Sequence, residues 1–385
     1  MRDSQIIRNL QGEVKIPQIV QEKAEWAFAQ IREERGGDKK MDKRSVRLKT
    51  MRIAAACATL VFGTVTVCAA AYMHWSSGME AEFSATEEQK IYLEQQEMAA
   101  PLHESDIQGN ITVTAQQSIV DRHFAHLSFK VEGYDLQEGL EPAFEDIRIF
   151  VDGSSDFSWS GRFFNGWMMD DNGNTAYADG RPWDEDAVEV FVDEDGSMEF
   201  DLTINGGETA GRLIGAPIHL EFENLGTVHK AVYTPDVTGT WTLDFTLQGS
   251  DAIRTATLSK ELGTSGCIVT EAEISPISLD VTYKMPVVLE DIEGVDENGA
   301  PVVAHAYQEP PSLAGVRLTD GTMLPYITNG GSEGFEDLEN GIYKATFAVN
   351  RILDTEQVDA LLFIKSSPAG EETLKEENLY IVPLN

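Results

Sequence analysis

The sequence predicts a mainly β protein: two antiparallel β-sandwich-like extracellular domains, one transmembrane helix and a short helical cytoplasmic arm. Three observations predict it. From residue 101 onward, apolar and polar residues alternate in short runs separated by Gly, Asn and Asp turns. A charge-free stretch of 21 residues runs from Ile53 to Met73. Charge reverses across that stretch, with 13 Lys and Arg against 8 Asp and Glu up to Arg52, and 16 against 57 after it.

The 385 residues and 42% apolar content suit two or three folded units with ordinary cores. A net charge of -36 argues against direct nucleic-acid binding, because phosphate affinity comes from clustered Lys and Arg. Three cysteines cannot build a disulfide scaffold or a four-cysteine zinc site.

Residues 1–52 form the arm. A helix is expected from Ile16 to about Arg35, with Pro17 in its first turn and Gly36-Gly37 ending it. Ile16, Val20, Ala24, Ala27 and Ile31 fall in one apolar arc, and Gln18, Glu22, Glu25 and Glu33 lie opposite. An acidic polar face is poorly suited to anionic lipid. The arc is therefore the candidate docking face for a cytoplasmic protein partner, with self-packing against residues 3–10 as the alternative.

Residues 53–73 form the span. At about 1.5 Å rise per residue the stretch matches the roughly 30 Å hydrocarbon core of a bilayer. Lys39, Lys40, Lys43, Arg44, Arg47, Lys49 and Arg52 precede it, which places the amino terminus inside the cell and the rest outside. A cleaved secretory signal is the rival reading, since Ala69-Ala70-Ala71 resembles a processing site. Ala55, Thr59 and Gly63, four apart, are candidates for close helix packing and homodimerisation.

Residues 74–100 read as a stalk, with a polar helix over 85–99. Residues 101–255 and 256–385 read as the two β domains, the second immunoglobulin-like. The first takes strands around Ile111–Val113, Ala125–Val131, Ile147–Val151, Ile218–Phe222 and Trp241–Leu247; the second around Ile274–Tyr283, Val302–Tyr307, Leu313–Leu318, Ile342–Val349 and Ala360–Ile364. Asp152-Gly153, Asp195-Gly196, Asn205-Gly206-Gly207, Asp296-Glu297-Asn298-Gly299 and Asp320-Gly321 mark turns.

No catalytic motif, cofactor site or metal site is expected. His123 and His126 are three apart and would face opposite sides of a strand. The acidic runs at Asp170–Asn174, Asp184–Asp186 and Asp193–Gly196 lack full calcium-loop spacing.

The arm motif VKIPQIVQEKAEWAFAQI, the Ala-rich span and NITVTAQQSIVDRHFAHLSFKVEGYDL resemble the domain-of-unknown-function 4179 family. TGTWTLDFTL and CIVTEAEISPISLDVTYK are similar to the immunoglobulin-like domain that commonly follows it. Many such proteins of Firmicutes are regulators encoded beside extracytoplasmic-function sigma factors. The resemblance implies an anti-sigma-like protein that sequesters a sigma factor and senses an envelope signal or wall component. Residues 1–52 contain no His and no Cys, so the zinc-type anti-sigma motif is missing and sigma binding would rest on helical surface alone. The alternative function is an anchored cell-surface binding or adhesion protein.

Overall fold

The computed structural model describes residues 75–169, 175–178, 188–207, 213–295, 301–366 and 374–384, all within the compact unit Cys68–Asn385. The arm and the span, with Ile16, Val20, Ala24, Ala27, Ile31, Ala55, Thr59 and Gly63, lie outside the described residues. Among the described residues no helix is long and apolar enough to cross a membrane.

The described chain is mainly β, in several antiparallel sheets preceded by two short helices, α1 (Ser77–Phe83) and α2 (Glu87–Gln95). The first β body comprises β1 (Ala99–Pro101), β2 (Ser105–Gln108), β3 (Ile111–Val120), β4 (Phe124–Glu132), β5 (Glu141–Val151), β6 (Ser158–Phe163), β7 (Trp167–Met169), β8 (Thr175–Tyr177), β9 (Met198–Asn205), β10 (Pro217–His229) and β11 (Val232–Thr246). One sheet runs β1-β3-β4-β9-β6, with β2 also pairing β3; a second runs β11-β10-β5, and β7-β8 form a separate hairpin.

The two larger sheets share one core. Leu127 and Phe129 of β4 and Phe200 and Leu202 of β9 pack with Ile149 of β5, Leu220 and Phe222 of β10 and Trp241 of β11. Phe129 meets Phe222 edge to face at 5.1 Å, and the Trp241 indole N–H donates to the Ile111 carbonyl at 3.1 Å. Each such large side chain, fully buried, contributes about 1.5–3 kcal/mol.

The second body comprises β12 (Arg254–Glu261), β13 (Ile268–Ile274), β14 (Ser278–Lys284), β15 (Leu289–Val295), β16 (Pro301–Tyr307), β17 (Leu313–Leu318), β18 (Met323–Pro325), β19 (Thr328–Asp337), β20 (Ile342–Val349), β21 (Val358–Ile364) and β22 (Leu379–Pro383). Its sheets run β12-β13-β14-β20-β19 and β18-β17-β21-β22, with β15-β16 as a separate hairpin. Their shared core includes Val281, Tyr283, Val316, Ala345, Leu361 and Phe363. Cys267 is buried and free. Residues 247–253 separate β11 from β12.

The segment read from sequence as a stalk is folded into this unit. Trp75, just before the cap of α1, and Met79 and Phe83 on one face of α1 are almost fully buried with Leu93 and Met98 against Ile119 of the first body and Ile277 and Ile352 of the second. β1, which ends at Pro101, pairs with β3. Lys90 is held over the Trp75 ring at 5.9 Å by ion pairs with Glu80 and Glu87. The polar composition of residues 85–99 concealed this, because α2 is polar almost all round and buries only Lys90 and Leu93.

Candidate functional site

The outer face of the β3-β4-β9-β6 sheet positions the candidate site. Along β9, Met198, Phe200, Leu202 and Ile204 enter the core, so Glu199, Asp201, Thr203 and Asn205 face the other way. The ladder sets His126 beside Thr203 and Ser128 beside Asp201 on one flank, with Ser160 and Arg162 of edge strand β6 beside the same two β9 residues on the other.

Part of this polar face is covered by α1. Glu199 accepts the Ser128 hydroxyl at 2.8 Å and the Gly78 N–H of α1 at 3.0 Å. The Ser76 N–H, at the helix cap, donates to Gln117 of β3 at 3.2 Å. Gly78 is required by contact: a Cβ there would lie 2.1 Å from Asp201 Oδ2. Phe83 meets the His126 ring edge-on at 4.9 Å.

The uncovered part is the floor of a 490 Å³ cleft walled by Met79 and Glu82 of α1 and by Asn329, Gly330 and Gly331 of the second body. Asn329 donates to Glu82 at 2.6 Å, and Arg162 lies 3.9 Å from the other Glu82 oxygen. His126 Nδ1 and the Thr203 hydroxyl are 3.2 Å apart, while His126 Nε2 and Asp201 Oδ1 are buried without a hydrogen-bond partner. Burial lowers the His126 pKa, so the ring is neutral near pH 7. Burial first, then the adjacent Glu199 carboxylate, hold the Asp201 carboxyl well above the ordinary range.

A second polar cluster locks the two β bodies beside this cleft. Asp121, fully buried in the β3–β4 turn, accepts the N–H groups of His123 and Phe124 at 2.7 Å through one oxygen. Its other oxygen accepts the hydroxyls of Ser275 and Ser278 from the second body. His123 Nε2 lies 2.9 Å from Glu273, and Arg122 bridges Glu273 and Asp251.

His123 and His126 thus go to different places, one to the lock and one to the cleft floor. Asp195 belongs to a turn, bonded to Ser197 and Lys130. The runs at 170–174 and 184–186 lie outside the described residues, and among the described residues no group of three or more His, Cys, Asp or Glu could hold a metal ion. The sequence reading missed Asp121, which lies in the β3–β4 turn, and Glu199 and Asp201, which strand alternation assigns to a solvated face. The stripe of Trp75, Met79 and Phe83 was the available signal that something covers that face.

No family model matches the chain, and no curated protein matches it. Among solved structures, the chain is similar to "the crystal structure of the conserved domain protein from Bacillus anthracis", at 12% identity and a TM-score of 0.39, with 74% of this chain and 89% of that one covered.

Proposed function

We propose that the chain is a membrane-anchored regulator of the anti-sigma type. Its arm holds a cytoplasmic sigma factor on the apolar arc of Ile16, Val20, Ala24, Ala27 and Ile31. Residues 53–73 cross the membrane, and the two β bodies, read as extracellular sandwiches with the second immunoglobulin-like, respond to an envelope condition. The resemblance to the domain-of-unknown-function 4179 family belongs to the same reading.

One observation carries it. Trp75, two residues beyond the apolar stretch that ends at Met73, is 2% exposed in the junction between both β bodies and α1. A tether needs only a flexible linker at that point. A segment wedged between two bodies instead makes a change in their packing felt at the end of the span, which is what a transducer needs.

The experiment is capture by the tagged full-length chain from its own cells. A sigma factor is expected to co-purify. Val20→Asp and Ile31→Asp should release it, since a charge on the arc forfeits burial worth about 1.5–3 kcal/mol per side chain; Glu25→Lys, on the opposite face, should not. Failure to capture any sigma factor would favour the anchored surface-binding alternative.

A further inference from the structure

The cleft floor is built on sheet rather than on loops. His126, Thr203 and Ser160 form one row across three strands, and Asp201 and Arg162 belong to the next, whose third member, Ser128, lies under α1. Neighbouring groups in a row sit on strands about 4.8 Å apart, so the floor is a fixed grid of hydroxyl, imidazole, carboxyl and guanidinium groups. Two of its atoms, His126 Nε2 and Asp201 Oδ1, are buried without a protein partner, and His126 is only 1% exposed. Both atoms are closed off from the cleft itself, so the polar groups that an occupant meets are those that line it, the hydroxyls of Ser158, Ser160 and Thr203 and the amide of Asn329.

We propose that this cleft is a binding site for an uncharged saccharide of about disaccharide size. The proposal gives the envelope-sensing reading its ligand class and rests on that reading for its biological sense. A volume of 490 Å³ falls among those of small-molecule sites, about 300–1,000 Å³.

The chemistry of the walls excludes the other classes in turn. Glu82 is engaged by Asn329 and lies beside Arg162, and Asp201 keeps its proton to an unusually high pH, so an amine meets no free carboxylate. A phosphate meets one guanidinium already facing a carboxylate, on a chain whose part after Arg52 carries 57 acidic against 16 basic residues. Met79 and Phe124, which line the cleft, are 2% and 1% exposed, so its accessible apolar group is Trp159, 42% exposed, a single flat ring that suits the face of a sugar better than an acyl chain. A sugar hydroxyl both donates and accepts, so it pairs with the Ser158, Ser160 and Thr203 hydroxyls and the Asn329 amide that line the cleft, whichever way those groups are oriented. Because the walls come from the first body, α1 and the second body, an occupant ties α1 to both.

The test is calorimetric titration of the full-length chain in detergent with cellobiose, maltose and the disaccharide of N-acetylglucosamine, and with inorganic phosphate and spermidine as charged probes. Binding of at least one disaccharide is expected, with a dissociation constant raised tenfold or more by Ser160→Val while the melting temperature holds, and raised further in the double variant Ser160→Val with Thr203→Val. Three results would overturn the proposal: no heat with any of the disaccharides, phosphate or spermidine bound in preference, or sugar binding unchanged in the double variant. Sigma-factor capture is read separately through the arm. Sugar binding without capture leaves the site standing and removes the regulatory reading, and capture without sugar binding does the reverse.

Discussion

The Ser278 hydroxyl donates to Asp121 at 2.5 Å across the boundary between the two β bodies. With Ser275 on the same oxygen and two backbone N–H groups on the other, Asp121 closes a buried network contributed by both bodies. Asp121→Ala leaves two hydroxyls and two amides without their acceptor, at a cost of about 3 kcal/mol or more. Ser278→Ala removes the bonds of its hydroxyl to Asp121 and Ser275 and should cost about 1–2 kcal/mol. Urea denaturation measures both. The Asp121→Ala curve is expected to split into two transitions as the bodies uncouple, and a single unshifted transition would show that the network does not join them.

Gly78 is the point at which α1 touches the sheet most closely. A Cβ there must displace Asp201 and Glu199 together, since their oxygens would lie at 2.1 and 2.8 Å. Overpacking of this kind costs about 1–3 kcal/mol, and α1 has only seven residues with which to resist it. Gly78→Ala should therefore free the segment around Trp75, seen as proteolytic cleavage within residues 77–95 under conditions that spare the parent. Gly334→Ala, where a Cβ meets nothing within 4 Å, should cleave no faster than the parent.

Much of the β architecture was readable because its strands are buried on one face. β17 and β20 fall where alternation placed them, at Leu313–Leu318 and Ile342–Val349. Two of the strands that escaped notice lack that contrast, since β19 is Gly-rich and exposed along most of its length and β12 buries Ala256 alone, whereas β9 alternates clearly and was overlooked all the same. The site was hidden for the opposite reason. β4 is buried on both faces, so Ser128 and His126, polar and outward by period, are as inaccessible as Leu127 and Phe129. Alternation reports which residues share a face, and only tertiary packing decides whether that face is wet.

The β10–β11 hairpin turns through Lys230 and Ala231, both left-handed at φ of 50° and 62°, with His229 opposite Val232. Two consecutive positive φ values define the mirror-image two-residue turn that favours Asn-Gly, so the absence of that dipeptide hid the turn from sequence. Lys230→Asn with Ala231→Gly relieves two unfavourable backbone conformations and should stabilise the chain by about 1 kcal/mol. Thermal melting checks this, and a lowered midpoint would mean that these side chains contribute more than the strain they cause.

The proton on Asp201 makes stability depend on pH with a sign that can be worked out. Burial raises its pKa most, Glu199 and Glu82 add to the shift, and Arg162 opposes it. In the unfolded chain the group ionises near 3.8. Between that value and the higher folded pKa the folded state binds more protons, so stability falls as pH rises through the window and stays lowered above it. The loss is about 1.4 kcal/mol for each tenfold gain in proton affinity. Asp201→Asn removes the ionisation while keeping a donor toward Glu199. The variant should melt above the parent at pH 8, and the advantage should shrink as pH falls toward 4, where the parent is protonated. The neutral, buried His126 loses stability at the acidic end, but it does so in both proteins, so the difference between the two curves isolates Asp201. Parallel curves across this range would show that Asp201 ionises in the folded protein as it does in the unfolded chain.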